Sequence, residues 1–251
     1  MKKNRFLFVA MLFTALSLGF VSCDNNKGNN PDDPTTGNDS GKEKNPTIVP
    51  TCTDYVDLGL SVNWATCNVG ATKPEEYGSY YAWGEVEPKE EYNWDTYKWA
   101  TAIWVSGSGF WDLETLTKYC TDSEDGTVDN KTILAPEDDA AAVNMGGSWR
   151  MPTYDELEEL KTKCTWKWTT LNGVNGYNVE GPNGNSIFLP AAGWRDHGDL
   201  HDAGWGGYYW SSSLGTDYSD YAYSIGFYSD YVFWVNFSRY YGFSVRGVFS
   251  K

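Results

Sequence analysis

The chain has few basic residues, few histidines and few cysteines for its length. Lys and Arg together number 19 against 34 Asp and Glu, so the formal net charge is −15 over 251 residues. A phosphate backbone needs clustered Lys and Arg, so we expect no nucleic-acid partner. The five cysteines include no CxxC pair, which excludes the usual zinc-site spacing. Aromatic residues, in contrast, reach 17% of the chain, enough to build a substantial core.

The first 22 residues have the pattern of an export signal. Basic residues at positions 2, 3 and 5 precede an apolar stretch from Phe6 to Val21, which is too short to span a bilayer comfortably. Ser22-Cys23 then stands where a secretory signal has its small-residue cleavage site. This ending resembles a bacterial lipobox, which implies cleavage before Cys23 and lipidation of its sulfur. The alternative is an ordinary secreted protein with a free Cys23.

Residues 23–50 have the composition of a lipid-anchored disordered tether. They are mostly Asn, Asp, Gly, Pro, Lys and Thr, and they cannot bury enough apolar surface to offset the entropy of ordering. Since the chain is acidic, its surface repels anionic headgroups, and we expect the lipid alone to contact the membrane. Residues 51–251 are expected to form one globular domain.

The other four cysteines form an even set in an oxidising compartment. Cys52, Cys67, Cys120 and Cys164 allow two disulfides and three pairings, among which the sequence cannot choose. We favour Cys67 with Cys164, which leaves Cys52 with Cys120.

Hydrophobic patterning predicts strands at both ends of the domain and helices between them. Residues 55–65 indicate two short strands joined by a turn, and residues 77–85 indicate another aromatic strand before an irregular region that runs to about Lys131. A short helix is expected within Ala135–Val143. A clearer one should run from about Tyr154 to Cys164, because Thr153 and Glu156 have the spacing of a capping box.

The C-terminal half has the rhythm of an antiparallel meander. Asn-Gly and Gly-Gly pairs punctuate short aromatic or β-branched runs and favour tight turns. Strands are predicted at residues 176–180, 186–190, 207–212, 221–227, 231–237 and 243–249.

Six phrases in order resemble one family. They are YVDLGLSV at 55–62, WATCNVGA at 64–71, GGSWRMPT at 146–153, IFLPAAG at 187–193, GYYWSSS at 207–213 and SVR at 244–246. Together they resemble the Fibrobacter succinogenes major paralogous domain, common in surface lipoproteins of gut Bacteroidetes, over about residues 55–250. The resemblance implies an outer-membrane lipoprotein, and display at the cell surface is a further hypothesis.

The phrase from Trp149 to Thr153 is also similar, more distantly, to formylglycine-generating-enzyme-like domains, which have a variant C-type lectin fold. The resemblance implies an α+β, C-type-lectin-like domain of twisted antiparallel strands with two short helices and long aromatic loops. It does not imply the enzyme, whose copper-binding cysteines lie near the C-terminal end of its domain. No cysteine here follows Cys164.

Two groups of residues are weak candidates for a metal. His197 and His201, interleaved with aspartates, form a metal site only if their segment is helical, whereas the surrounding glycines favour a loop. Calcium is an alternative at the acidic stretch around Gly126, where a solvated loop is the simpler interpretation. Its oxygen donors are Asp122, Glu124, Asp125, Asp129 and Asn130. We therefore expect no metal and no cofactor.

The charged residues near the clearer helix are interpreted as structural. The planar fork of Arg150 suits a bidentate contact with a carboxylate. The helix acids Asp155, Glu156, Glu158 and Glu159 are better explained as a solvated face than as a catalytic pair. No catalytic residue is assigned.

The aromatic residues are the strongest candidates for function. Trp and Tyr faces stack on sugar rings and on protein hot spots. Four tryptophans are expected in the core: Trp64, Trp149 and Trp210 of the family phrases, and Trp83 of the strand predicted at residues 77–85. Five in loop-like contexts are the ligand-binding candidates: Trp99, Trp104, Trp111, Trp194 and Trp205. The favoured function is a non-catalytic binding module for glycan or protein, and the alternatives are an extracellular metal-dependent hydrolase or a structural, fimbrial envelope component.

Overall fold

The computed structural model of the chain describes residues 52–106 and 109–251, without the side chains of Phe110 and Trp111. All the described residues fall in one compact unit. The predicted signal peptide, the lipidation site Cys23 and the tether lie outside the described residues.

Strands account for most of the regular structure. The described residues contain thirteen strands: β1 (Tyr55–Asp57), β2 (Val62–Asn68), β3 (Ala100–Val105), β4 (Phe110–Leu116), β5 (Thr165–Leu171), β6 (Val174–Glu180), β7 (Ser186–Pro190), β8 (Trp194–Asp196), β9 (Asp199–His201), β10 (Gly206–Leu214), β11 (Tyr221–Tyr228), β12 (Tyr231–Ser238) and β13 (Arg246–Ser250). They also contain a 3₁₀ turn (Pro136–Asp138) and two helices, α1 (Ala140–Met145) and α2 (Tyr154–Lys163).

The strands form five small antiparallel sheets in the described part of the chain. Their orders are β1-β2-β13, β10-β11-β12, β3-β4, β5-β6-β7 and β8-β9. In the first sheet Trp64 lies opposite Val56 on one side and Val248 on the other, so that the first and last strands flank β2.

The expected α+β, C-type-lectin-like fold is wrong, because the domain is β-rich. Helices α1 and α2 contain only 6 and 10 residues. After α2 most of the chain forms hairpins, because tight turns at positions such as Asn172-Gly173 reverse its direction and pair the flanking strands.

The sheet β10-β11-β12 separates two hydrophobic clusters. Side chains alternate across a strand, so Tyr208 and Tyr209 point to opposite faces, one into each cluster. Gly226 in β11 makes room for aromatic rings, because an added Cβ would lie 2.7 Å from Phe233 Cζ and 3.3 Å from Tyr208 Cε1. Of the four tryptophans expected in the core, Trp64, Trp83 and Trp210 are fully buried and Trp149 is partly buried.

Helix α2 begins where the sequence predicts. The Thr153 side chain accepts a hydrogen bond from Glu156 N, and Glu156 Oε2 accepts one from Thr153 N at 2.8 Å, which completes the capping box. Helix α1 begins later than predicted, because Asp139 is its N-cap and accepts from Ala141 N and Ala142 N, each at 2.9 Å.

Two predictions about strands are wrong, and a third is confirmed only in part. Residues 77–85 form no strand, and Tyr81 pairs only through an isolated bridge with Phe243. The region expected to be irregular contains the β3-β4 hairpin. The last strand begins at Arg246 and pairs with β2 instead of extending the meander.

The disulfide pairing that we favoured is also wrong. The structure joins Cys52 to Cys67. The segment before β1 runs beside β2, where Thr66 N donates to Asp54 O at 3.0 Å, and this brings the two cysteines together. Among the described cysteines, Cys120 and Cys164 are free thiols. Burial raises the pKa of the Cys164 thiol to about 11, so the thiol is protonated at neutral pH.

Candidate functional site

The candidate tryptophans lie in three separate places. Trp99 is held by its surroundings, since its Nε1 donates to Gly84 O at 2.7 Å and the ammonium groups of Lys98 and Lys118 lie 4.2 and 4.7 Å from its ring. Trp104 lies on β3 with 50% of its surface exposed, opposite Trp111 in the register of β4. The side chain of Trp111 lies outside the described residues.

Trp194 and Trp205, in contrast, occur at one end of the sheet β10-β11-β12. We define the Trp205 surface as six residues that hydrogen bonds, ring contacts and strand pairing bring to this end: Trp194, His201, Asp202, Trp205, Tyr228 and Tyr231. Trp205 is the most exposed of the large hydrophobic residues in the described part of the chain, with 76% of its surface accessible.

The turn that carries Trp205 is fixed by backbone hydrogen bonds. Trp205 N and Gly206 N both donate to Asp202 O at 2.9 Å. Asp202 itself has a φ of 56°, a left-handed conformation that Asp tolerates better than most residues. The exposed indole therefore projects from an ordered turn.

The carboxylate of Asp202 links the aromatic residues of this surface. Its Oδ2 accepts hydrogen bonds from Trp194 Nε1 at 3.2 Å and from the Tyr228 hydroxyl at 2.8 Å. The ring of Trp194 stacks on His201 with a centroid distance of 4.5 Å. These contacts fix both the rings and the carboxylate before any ligand arrives.

Strand register places two more tyrosines beside this cluster. Gly206 at the start of β10 pairs with Tyr228 at the end of β11, and Tyr228 pairs with Tyr231 at the start of β12. The centroids of the two tyrosine rings are 5.6 Å apart, and Tyr231 is 51% exposed.

The inner tyrosines of the site are neutral phenols, and burial raises their pKa further above the ordinary value of 10. It raises the pKa of Tyr228 to about 12, and the hydrogen bond to Asp202 acts in the same direction. The Tyr208 hydroxyl lies 2.8 Å from that of Tyr228, and its pKa is raised by burial and by this contact. At neutral pH these phenols are hydrogen-bond donors, and the surface offers aromatic faces beside one carboxylate.

The two histidines lie on the β8-β9 hairpin, which confirms that their segment is not helical. His197 occupies its turn, with a φ of 50° and its Nδ1 2.9 Å from Asp196 Oδ1. His201 lies at the base of the hairpin, opposite Trp194. Over residues 52–106 and 109–251, no group of three or more His, Cys, Asp or Glu side chains has the arrangement of a metal site.

The acidic stretch around Gly126 uses carboxylates to hold its own backbone. Asp129 accepts from the amides of Tyr119, Cys120 and Lys131 at 3.0, 3.1 and 3.1 Å. Burial raises its pKa, but these donors outweigh burial and lower the pKa below its ordinary value. One of the five oxygen donors considered for calcium, Asp129, is thus already bonded within the loop.

Three of the four acids of α2, Glu156, Glu158 and Glu159, have structural partners, and Asp155 is exposed. Arg150 donates to both carboxylate oxygens of Glu156, as its planar fork suggested. Glu159 accepts from Ser61 N at 2.9 Å and Lys163 Nζ at 2.7 Å, and Glu158 accepts from Trp234 Nε1.

Sequence reasoning missed Tyr228 and Tyr231, and it considered Asp202 only as one of the aspartates interleaved with the two histidines. The phrase Ser229-Asp230-Tyr231 is visible in the sequence as a near repeat of residues 219–221, but a repeat of three residues carries no functional meaning. The short gap between the strands predicted at residues 221–227 and 231–237 was the available signal, because a short gap predicts a hairpin whose turn brings the residues on either side of it together.

Comparison with known proteins found a match to one family model. A family model described as a domain of unknown function (DUF8237) matches residues 156–248, which include the Trp205 surface. No curated protein matches. No solved structure matches. In the described part of the chain, no helix has the length and hydrophobicity that a membrane span requires.

Proposed function

We propose that this chain is a non-catalytic recognition module that binds glycan through the Trp205 surface. The observation that carries the proposal is the 76% exposure of Trp205 on a turn whose backbone is fixed. Burial of apolar surface contributes about 25 cal/mol of favourable free energy for each Å², and an indole left in water does not gain it. Exposed apolar patches on a folded protein often mark interaction sites.

The chemistry of the surface suits a sugar. Sugar rings present C–H faces that stack on Trp205 and Tyr231, and hydroxyls that donate to a carboxylate. The acceptor here is Asp202, whose position is set by Trp194 and Tyr228. Because the Asp202 carboxylate and the backbone of the Trp205 turn are held in the free protein, binding costs little entropy for ordering these groups.

We also propose a family and a cellular location for this protein, and both proposals depend on motifs in the sequence. The six ordered phrases support membership of the Fibrobacter succinogenes major paralogous domain family. The lipobox-like ending at Cys23 supports an outer-membrane lipoprotein, and the polar tether supports display of the domain away from the membrane surface.

A glycan array tests the proposal. The full-length protein, purified in detergent, is applied beside Trp205→Ala, and Trp104→Ala is the matched control because it removes another exposed indole, from the β3-β4 hairpin. We expect binding that falls at least about tenfold in Trp205→Ala and is retained in Trp104→Ala, since a stacked aromatic anchor contributes more than about 1.4 kcal/mol.

Two results count against glycan binding. A blank array with the intact protein would refute it and shift the interpretation to a protein partner or an envelope component. An equal loss of glycan binding in Trp205→Ala and Trp104→Ala would show that the Trp205 surface is not the binding site.

A further inference from the structure

A cleft of about 680 Å³ lies at the other end of the sheet β10-β11-β12. Its walls are the N-terminus of α2, the end of β10, Tyr223 of β11, and the chain at Thr121 and around Thr132. The volume lies in the range of small-molecule sites.

The walls of the cleft are tied together by hydrogen bonds. Leu214 N donates to Thr132 O at 2.8 Å, and Tyr154 N donates to Ser213 Oγ at 3.0 Å. The hydroxyls of Thr216 and Tyr223 lie 2.7 Å apart. The cleft is therefore largely formed without a ligand.

One aromatic wall is rigid as well. The ring of Tyr154 packs between Tyr223 and Trp234, with centroid distances of 4.6 and 4.4 Å. Trp234 is anchored in turn, because its Nε1 donates to Glu158 Oε2 at 2.5 Å.

The lining favours a neutral ligand rich in hydroxyl groups. Seven of its eleven residues are Ser, Thr or Tyr, and one is the exposed Asp155. Each hydroxyl has one donor and two acceptor positions, so Ser213 Oγ retains its O–H after accepting from Tyr154 N. The described residues that line the cleft include no Lys, Arg or His, and an anionic ligand would meet a carboxylate without a compensating cation.

We propose that this cleft is a second binding site, for a neutral saccharide, separate from the Trp205 surface. Tyr223 and Tyr228 are five positions apart on β11, which corresponds to about 17 Å along the strand and to opposite faces of the sheet. The hydroxyls and Asp155 bond the sugar, and the Tyr154 and Tyr223 rings supply the apolar wall.

The test is titration of the full-length protein with neutral tetrasaccharides, namely maltotetraose, cellotetraose and xylotetraose, by isothermal calorimetry. The double variant D155N/Y223F removes a charge and a hydroxyl with little change of shape. Ile133→Trp fills the cleft from an exposed position on its wall. Trp205→Ala is the matched control outside the cleft, and far-UV circular dichroism verifies the fold of each variant.

We expect one of the tetrasaccharides to bind the wild type, and its affinity to fall at least about tenfold in both cleft variants while Trp205→Ala retains it. Absence of binding by all three probes overturns the cleft proposal, as does equal affinity in wild type and cleft variants. Loss confined to Trp205→Ala supports the Trp205 surface and overturns the cleft, so the two proposals fail separately. If Ile133→Trp does not fold, D155N/Y223F decides the outcome.

Discussion

Arg150 and Glu156 are joined by two parallel hydrogen bonds, 2.7 Å from Nη1 and 2.5 Å from Nη2. The same carboxylate accepts from Thr153 N and so completes the N-terminal cap of α2. One carboxylate thus connects the extended segment before the helix to its first turn. Burial opposes ionisation of Glu156, but Arg150 and Thr153 outweigh it and hold the pKa below its ordinary value of 4.5.

Removal of this ion pair should destabilise the domain. We expect Arg150→Ala to lower the free energy of unfolding by about 1–3 kcal/mol, since the pair is bidentate and partly buried. Arg150→Lys should recover only part of the loss, because an ammonium cannot form the fork. Urea unfolding followed by tryptophan fluorescence measures both. The control is Lys163→Ala, whose exposed pair with Glu159 should contribute less than about 0.5 kcal/mol; similar losses in Arg150→Ala and Lys163→Ala would contradict the prediction.

Stability should fall in acid, partly because of Glu156. Its folded pKa is depressed, so its contribution is fully present above the unfolded pKa near 4.5 and is lost as the pH falls through the folded value. Urea titrations at several pH values between about 6 and 2 should show a shallower fall in Glu156→Gln than in the wild type. An unchanged pH dependence in Glu156→Gln would show that other carboxylates account for the fall.

The bond between Cys52 and Cys67 should contribute substantially to stability. The two residues are 15 positions apart, and a cross-link of that span restricts the unfolded chain by about 3 kcal/mol. We expect Cys52→Ser to lose this amount in the free energy of unfolding and to become insensitive to reductant. Cys120→Ser should be destabilised by reductant to the same extent as the wild type. If reductant has no effect on the stability of Cys120→Ser, a different disulfide pairing is indicated.

Gly226 should not tolerate a side chain. A Cβ would lie 2.7 Å from Phe233 Cζ, and the surrounding rings are packed on both sides, so Gly226→Ala should destabilise by about 1–3 kcal/mol. The control is Gly198→Ala, where the added Cβ would meet only Glu91 Oε1, at 3.4 Å. Thermal unfolding measures both; a neutral Gly226→Ala would mean that the rings move aside without cost.

The elements that the sequence predicted correctly depend on residues close together in the chain. The cap of α2 depends on residues three positions apart, and the hairpins β5-β6, β8-β9 and β11-β12 depend on turns of two residues, so these features are encoded within short windows. The segment around Tyr81 shows where prediction from local sequence fails. Its neighbourhood has the pattern of a strand, but its pairing partner is Phe243, far along the chain, and only one bridge forms.

The Trp205 surface was predictable only in part, because its contacts join residues that lie apart in the sequence. Trp99 and Trp205 have similar local contexts, yet Lys118 reaches the ring of Trp99 from a separate segment while Trp205 stays exposed. The bonds from Trp194 and Tyr228 to Asp202 depend on strand register across a hairpin. The disulfide is similar, since the closeness of Cys52 and Cys67 follows from the course of the chain before β1.

The two ends of the described chain share the strand β2. Tyr55 packs on Phe249 with a centroid distance of 4.9 Å, and Lys251 Nζ lies 2.7 Å from Asp57 Oδ1. Neither end can fray without exposing contacts of the other, so β1 and β13 should open as a single cooperative unit in amide hydrogen exchange.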